Sequence, residues 1–330
     1  MNHSLRNIGL LLVSILSASS TAMSQGHSIP GEPRSYSTIY SLGLEWDMEG
    51  DDDHDATCAL SFRAQGEATW RQALDLFRVD YTPPDPVNGL SGEFSGFAGS
   101  VLFVEPDTIY DVRLELSDPD GGSEVRETVV TTFAVPEKPV DPVVYHVIPG
   151  SGGGTGASAD PFLGIEFAQS QAAPGSVFNL HAGTYQGFDS GGEIQLNSPG
   201  TSDDFIVWQA AGDGAVVFGD PLRIAADFIW VEGIHIRGHV GVESEYGLRT
   251  YDTPEFVVIT RNLFTDFYYS IALNHGGENW VITDNTIIGD KDVIGTPDGP
   301  PSYGGEGIEL EHTSGHTVAY NSISRVADGV

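Results

Sequence analysis

Two glutamates a single residue apart, in the stretch "GEGIELEH" from Gly305 to His312, have the clearest chemical potential in the chain. Ile308 and Leu310 alternate with Glu309 and Glu311, the pattern of a strand with one buried face. Both carboxylates then lie on the other face, roughly 6–7 Å apart. Such a pair suits two reactions. In a β-elimination, carboxylates hold Ca²⁺, the ion neutralises a uronate carboxyl group, and a basic residue removes the C5 proton. In a hydrolysis, they flank the glycosidic oxygen as acid and as base or nucleophile. The ordinary outer face of a very acidic protein has the same pattern. His312, His316 and Arg325 are close in sequence, and an Asp- and Gly-rich stretch from Asp290 to Gly305 precedes the pair.

Two further clusters have suitable residue types. Asn274, His275 and Glu278 in "LNHGGENW" sit at a turn, where Asn274 and His275 are candidates for binding substrate in the same groove; a polar turn is the other reading. The run Asp51-Asp52-Asp53-His54-Asp55 offers the hard oxygens Ca²⁺ takes, or a solvated loop. Phe264, Phe267, Tyr268 and Tyr269 suit stacking on sugar rings or core packing.

The 330-residue chain carries 47 Asp and Glu against 14 Lys and Arg, a net charge of −33, and its only lysines are Lys138 and Lys291. A polyanion of that size does not hold nucleic acid or an anionic membrane by electrostatics. Its charge fits salty surroundings, divalent cations or surface solubility. Residues 1–24 have Arg6, an apolar run from Ile8 to Leu16, and small residues ending in Ala22-Met23-Ser24. That is the form of a secretory signal peptide, so the expected location is secreted, extracellular or periplasmic. Its removal takes Arg6 away and the charge from −33 to −34. No later stretch is long and apolar enough to span a membrane. The single Cys58, in the alternating "ATCALSF", rules out an internal disulfide framework and reads as a small core residue.

From Tyr36 to Val135, "LGLEW", "TCALSFRA", "ALDLFRV", "GSVLFV", "YDVRLEL" and "TVVTTFAV" alternate apolar and polar residues between turn clusters. Strands at this spacing predict an antiparallel sandwich. The stretch "VEPDTIYDVRL" resembles the L-x-P-x-T-x-Y-x-V signature of fibronectin type III domains, with Val104, Pro106, Thr108, Tyr110 and Val112 in its places. The resemblance implies a tyrosine corner at Tyr110 and a core tryptophan at Trp46, over residues 31–138. The Pro-rich "VPEKPVDPVV", from Val135 to Val144, reads as a stiff connector.

Residues 143–330 carry a repeat. "FIWVEGIHI", "FVVITRNLF", "NWVITDNTI" and "HTVAYNSIS" align, and Asn262, Asn285 and Asn321 recur three residues after a buried aliphatic, with Gly233 expected in the same slot. A period of this size marks a stacked solenoid, with the asparagines turning each corner in the left-handed conformation and bonding one another. Upstream, "DPFLGIEFAQSQAA" predicts a short amphipathic helix with Asp160 as cap and Pro161 in its first turn.

A capping helix followed by such repeats resembles right-handed parallel β-helices of the pectate-lyase-like kind. The expected fold is therefore all-β: a fibronectin type III-like sandwich, then a right-handed parallel β-helix with an N-terminal capping helix. "ADGV" at the end reads as the start of another coil, so further coils are expected downstream. The order of elements is also similar to the alginate lyase and chondroitinase B family, which is β-helical, calcium-dependent and uses a Lys and an Arg. Counting back from Asn321, its Lys place falls on His312 and its metal-ligand places near Glu306, and Arg325 stands where an arginine could serve. No Lys is available, though His can act as a base near neutral pH. These resemblances imply an exported protein that binds and cleaves an acidic polysaccharide, by β-elimination in preference to hydrolysis. A non-catalytic surface stalk or a β-helical glycoside hydrolase are the rivals.

Overall fold

The computed structural model describes residues 26–81, 94–187, 192–239, 245–274, 276–289 and 305–330. The leader at 1–24, His275 and most of the insertion at 290–304 lie outside them. Among the described residues no helix is long and apolar enough to cross a membrane.

Residues 29–131 form two four-stranded antiparallel sheets. Alternation sets their faces: Leu42, Leu44, Trp46 and Met48 in strand Ser41–Glu49 face Cys58, Leu60, Val112 and Leu114 across one core. Trp46 is 1% exposed, as expected. The Tyr110 hydroxyl accepts the Glu105 backbone N–H at 2.8 Å, the corner bond the "EPDTIY" stretch implied. Burial pushes the Cys58 thiol up to about 12, which leaves it unreactive in the folded protein. The predicted strand "ALDLFRV" is displaced: the ladder runs over Phe77–Tyr81, and Leu76 turns into the core instead.

The remainder holds three parallel sheets of eight, six and five strands. Sheet I begins with Val143–Ile148 and Ser176–Leu180, sheet II with Gly183–Tyr185, and sheet III with Ile194–Leu196. The chain visits them in rotation, so each strand pairs with its counterpart one circuit earlier, a stacking consistent with the expected parallel β-helix. Inward residues form columns: Phe178 stacks on Trp208 at 4.1 Å and 9°, and Ile259 pairs in register with Ile282.

The asparagines pile up. Asn285 Oδ1 accepts the Asn262 N–H at 2.9 Å, Asn321 Oδ1 accepts the Asn285 N–H at 3.0 Å, and their Nδ2 atoms donate to the Val231, Ile259 and Ile282 carbonyls. One part of the expected corner is corrected. The left-handed residues are Gly233, Arg261, Asp284 and Tyr320, each one place before the ladder. Register aligns Val231 with Ile259, so Ile234 and not Gly233 fills the asparagine slot, and its N–H bonds Asn262 Oδ1 at 3.0 Å. The helix is also shorter than expected. Phe162–Leu163 pairs as a strand with Val147–Ile148, and Gly164 at φ 84 delays helix α1 to Ile165–Gln169, so Asp160 does not cap it.

The Pro-rich segment is docked and not free. Phe133 packs edge-on against Phe256 at 5.9 Å, and Lys138 Nζ reaches Glu232 Oε2 and Gln209 Oε1, each at 2.6 Å, on the outer face of sheet I. Burial alone would raise the Glu232 carboxyl, but bonds from Lys138, Arg261 and Trp230 outweigh it and hold it below its ordinary range.

His316 lies directly before Thr317–Ala319, the last described strand of sheet I. Its Nδ1 accepts the Trp280 N–H at 3.1 Å and its Nε2 donates to Thr313 Oγ1 at 2.5 Å, a pattern only the neutral ring can make. Burial lowers its pKa from 6.5 to about 4. The unfolded chain therefore takes up this proton at higher pH than the folded one. The contribution to stability is complete above about pH 6.5 and declines as pH falls to 4, by about 2 kcal/mol after allowing for partial exposure. Urea midpoints are expected to drop between about pH 7 and about pH 5, and His316→Gln should flatten that part of the curve.

Candidate functional site

Sheet III presents an outward row. Gln195, Arg223, Arg249, Ala272 and Glu309 are consecutive register partners on its five strands. Their inward neighbours Ile194, Leu222, Leu248, Ile271 and Ile308 are buried, and alternation turns the row to the opposite face, where Ala272 is nevertheless fully covered. A second row runs Tyr246, Tyr269, Glu306, with the two tyrosine rings stacked at 4.8 Å and 14°. Tyr268 packs edge-on against Tyr269 at 4.7 Å.

The row is electrostatically divided. At one end Glu193, 8% exposed, joins Arg223 at 3.6 Å and Arg249 more closely. The Arg223 guanidinium lies 3.3 Å from the Tyr251 ring centre, and the Nε atoms of both arginines are buried without a hydrogen-bond partner among the described residues. Two arginines against Glu193, with Glu166 at the same end, leave this end close to neutral on a strongly negative protein.

At the other end the carboxylates crowd together. Burial, then Glu306 and Glu311, raises the Glu309 carboxyl above its ordinary range, and burial, then Asp328 and Glu311, raises that of Glu306. Glu309 Oε2 and Asn274 Oδ1 are buried acceptors with no donor among the described residues. Asn274 follows Leu273, whose carbonyl takes the Glu311 N–H at 3.1 Å, so Asn274 and Glu311 are neighbours. Asp328 pairs with Glu306 and its carbonyl accepts the Gly307 N–H, the strand start that "ADGV" suggested.

The two residues expected to act on a proton and a carboxylate are corner residues. His312, at φ 54, is the corner leaving sheet III, and its Nε2 lies 3.5 Å from Glu311 Oε1. Arg325, at φ 56, follows strand Ser322–Ser324 of sheet II, on the way back to sheet III. The two therefore flank the carboxylate strand from opposite ends. His316 immediately precedes strand Thr317–Ala319 of sheet I and leaves the group. In the antiparallel part, Asp51, Asp53 and Asp55 offer oxygens within 4.8 Å of one another. Asp51 is already committed there, paired with Arg78 and accepting the Asp55 and Ala56 N–H groups.

Arg223, Arg249, Glu193 and the Tyr246–Tyr269 stack were not singled out from the sequence. A signal existed: "LRI" at Leu222 and "LRT" at Leu248 repeat a Leu-Arg-β-branched triplet. Reading it required the circuit length, which the loops of unequal size obscure.

No protein-family model matches the chain, and no curated protein matches it.

Proposed function

We propose that the protein is an exported, carbohydrate-active protein that cleaves an acidic polysaccharide by β-elimination on the outer face of sheet III. In this reading residues 31–138 are a fibronectin type III-like unit and residues 143–330 a right-handed parallel β-helix of the pectate-lyase-like kind. The observation that carries it is the single in-register row joining Arg223 and Arg249 to Glu309, flanked by stacked tyrosines. The positive charge of Arg223 and Arg249, two guanidinium groups against one Glu193, suits carboxylates along a polymer, and the tyrosines suit sugar faces.

Glu306, Glu309 and Glu311 would hold Ca²⁺, with Asn274 alongside. The support is the donor chemistry, since the three carboxylates do not all come within 4.8 Å of one another as Asp51, Asp53 and Asp55 do. They are hard oxygens, two atoms of the group are buried acceptors without a donor among the described residues, and a divalent cation would relieve the raised carboxyls. The ion supplies charge to neutralise a uronate carboxyl group. His312 would take the C5 proton, the C5–H electrons would form the C4–C5 double bond, and the C4–O4 bond would break, the leaving oxygen taking its proton from water and His312 returning the C5 proton to solvent. Arg325 approaches the substrate from the other end of the strand. Asn274 would line the groove; His275, the other candidate, lies outside the described residues.

The full chain should generate the ultraviolet absorbance of an unsaturated uronate from alginate, polygalacturonate or chondroitin in Ca²⁺, and lose it in EDTA. New reducing ends without that absorbance would point to hydrolysis instead. Binding without either product would make the face a recognition surface, and no absorbance on all three polymers removes the lyase reading.

A further inference from the structure

At the opposite end of sheet III from Glu309, a pocket of about 340 Å³ lies between α1 and strand Ile194–Leu196. Four strand spacings, about 19 Å, separate the two. Its polar lining includes Glu166 and Gln169 from α1, Gln186, and Glu193, Gln195 and Asn197 around the strand. Gln169 is 7% exposed, yet neither its Oε1 nor its Nε2 has a hydrogen-bond partner among the described residues. A buried amide with both ends unpaired is unfavourable, and an apolar side chain would fill that place better in a purely structural role.

We propose that this pocket binds one neutral, hydroxyl-rich sugar unit. Its volume falls at the small end of ligand sites, about 300–1,000 Å³, the scale of a single ring. Gln169, Gln186, Gln195 and Asn197 each offer donors and an acceptor, the complement of sugar hydroxyls, which also do both. Among the described residues no Lys or Arg lines the pocket, the Glu193 carboxylate is engaged by Arg223 and Arg249, and Glu166 disfavours an anion. The unit is therefore uncharged, unlike those held along the arginines. Among the described residues its lining offers hydrogen-bonding groups and no aromatic ring. This goes beyond the cleavage reading, because the pocket can be filled whether or not Glu309 does chemistry.

The test is titration of the full chain with glucose, galactose, mannose and xylose, and with galacturonate as the anionic counterpart, followed by saturation-transfer NMR and calorimetry. At least one neutral sugar should bind, with galacturonate weaker by about tenfold or more. Gln169→Leu should weaken that binding by about tenfold or more while raising the melting temperature of the free protein. Gln195→Ala, which leaves the core alone, should weaken it as well. Failure of every neutral sugar to bind, or undiminished binding by both variants, overturns the proposal and leaves a water-filled pocket. Absorbance assays of the Glu309 end read a different outcome, so either idea can fall without the other.

Discussion

Glu309→Gln should lower the rate of uronate elimination by about 100-fold or more, the usual contribution of a group that handles charge at the reacting centre. The same change should make the free protein slightly more stable at neutral pH. Glu309 is raised by burial and by Glu306 and Glu311, so its folded pKa lies above its unfolded one. A carboxyl shifted in that direction binds its proton more tightly when folded, so stability falls as pH rises from the unfolded pKa through the folded one. Above that window the charged side chain is a cost, which the neutral amide removes. Ca²⁺ should relieve the same cost in the unsubstituted protein and raise its melting temperature. In the Glu309→Gln protein the Ca²⁺ increment should shrink together with the rate. A variant that loses activity but keeps its full Ca²⁺ increment would move the metal away from Glu309.

Asn285→Ala should destabilise the protein by about 3–4 kcal/mol, among the larger effects of a single substitution. Asn285 is 1% exposed and sits in the middle of the ladder. Its Oδ1 serves the Asn262 N–H and Nδ2, and its Nδ2 serves the Ile259 carbonyl and Asn321 Oδ1. Truncation strands the buried Asn262 N–H and Ile259 C=O, both on the preceding circuit, where water has no access. Asn321→Ala should cost less, since Asn321 is more exposed and ends the described ladder. Urea unfolding at about pH 7.5 measures both. Equal, small losses would mean the corner does not depend on the ladder.

The repeat was legible because columns impose periodicity: aliphatics at Ile259 and Ile282 and an amide three places on recur each time the chain passes sheet I. What the sequence concealed is which residues share a face across circuits of different length. Asn262 and Asn285 are 23 residues apart and Asn285 and Asn321 are 36, so the eye aligns the asparagines but not Arg223 with Arg249 and Glu309. Alternation showed Glu309 facing outward, but not that its neighbour across the sheet is Ala272, a small, fully buried residue between the charged ends. Helix α1 was overextended for a related reason. The "DPFL" residues satisfy a helical pattern equally well as a strand pairing with Val147–Ile148, and only the tertiary partner decides. The left-handed corner was placed one residue late because Asn tolerates that conformation, whereas the ladder needs the asparagine's amide and leaves the strain to Arg261, Asp284 and Tyr320.

Everything about the site depends on the stacking of sheet III in this register. Arg249→Cys with Ala272→Cys puts two thiols on adjacent parallel strands, within the Cα separation a disulfide tolerates, while Cys58 stays buried and inert. Mild oxidation followed by peptide mass spectrometry should recover that cross-link in high yield, and recover none from Arg223→Cys with Glu309→Cys, three strands apart. The reverse outcome, or no link in either pair, would contradict the register and with it the row that joins the arginines to the carboxylates.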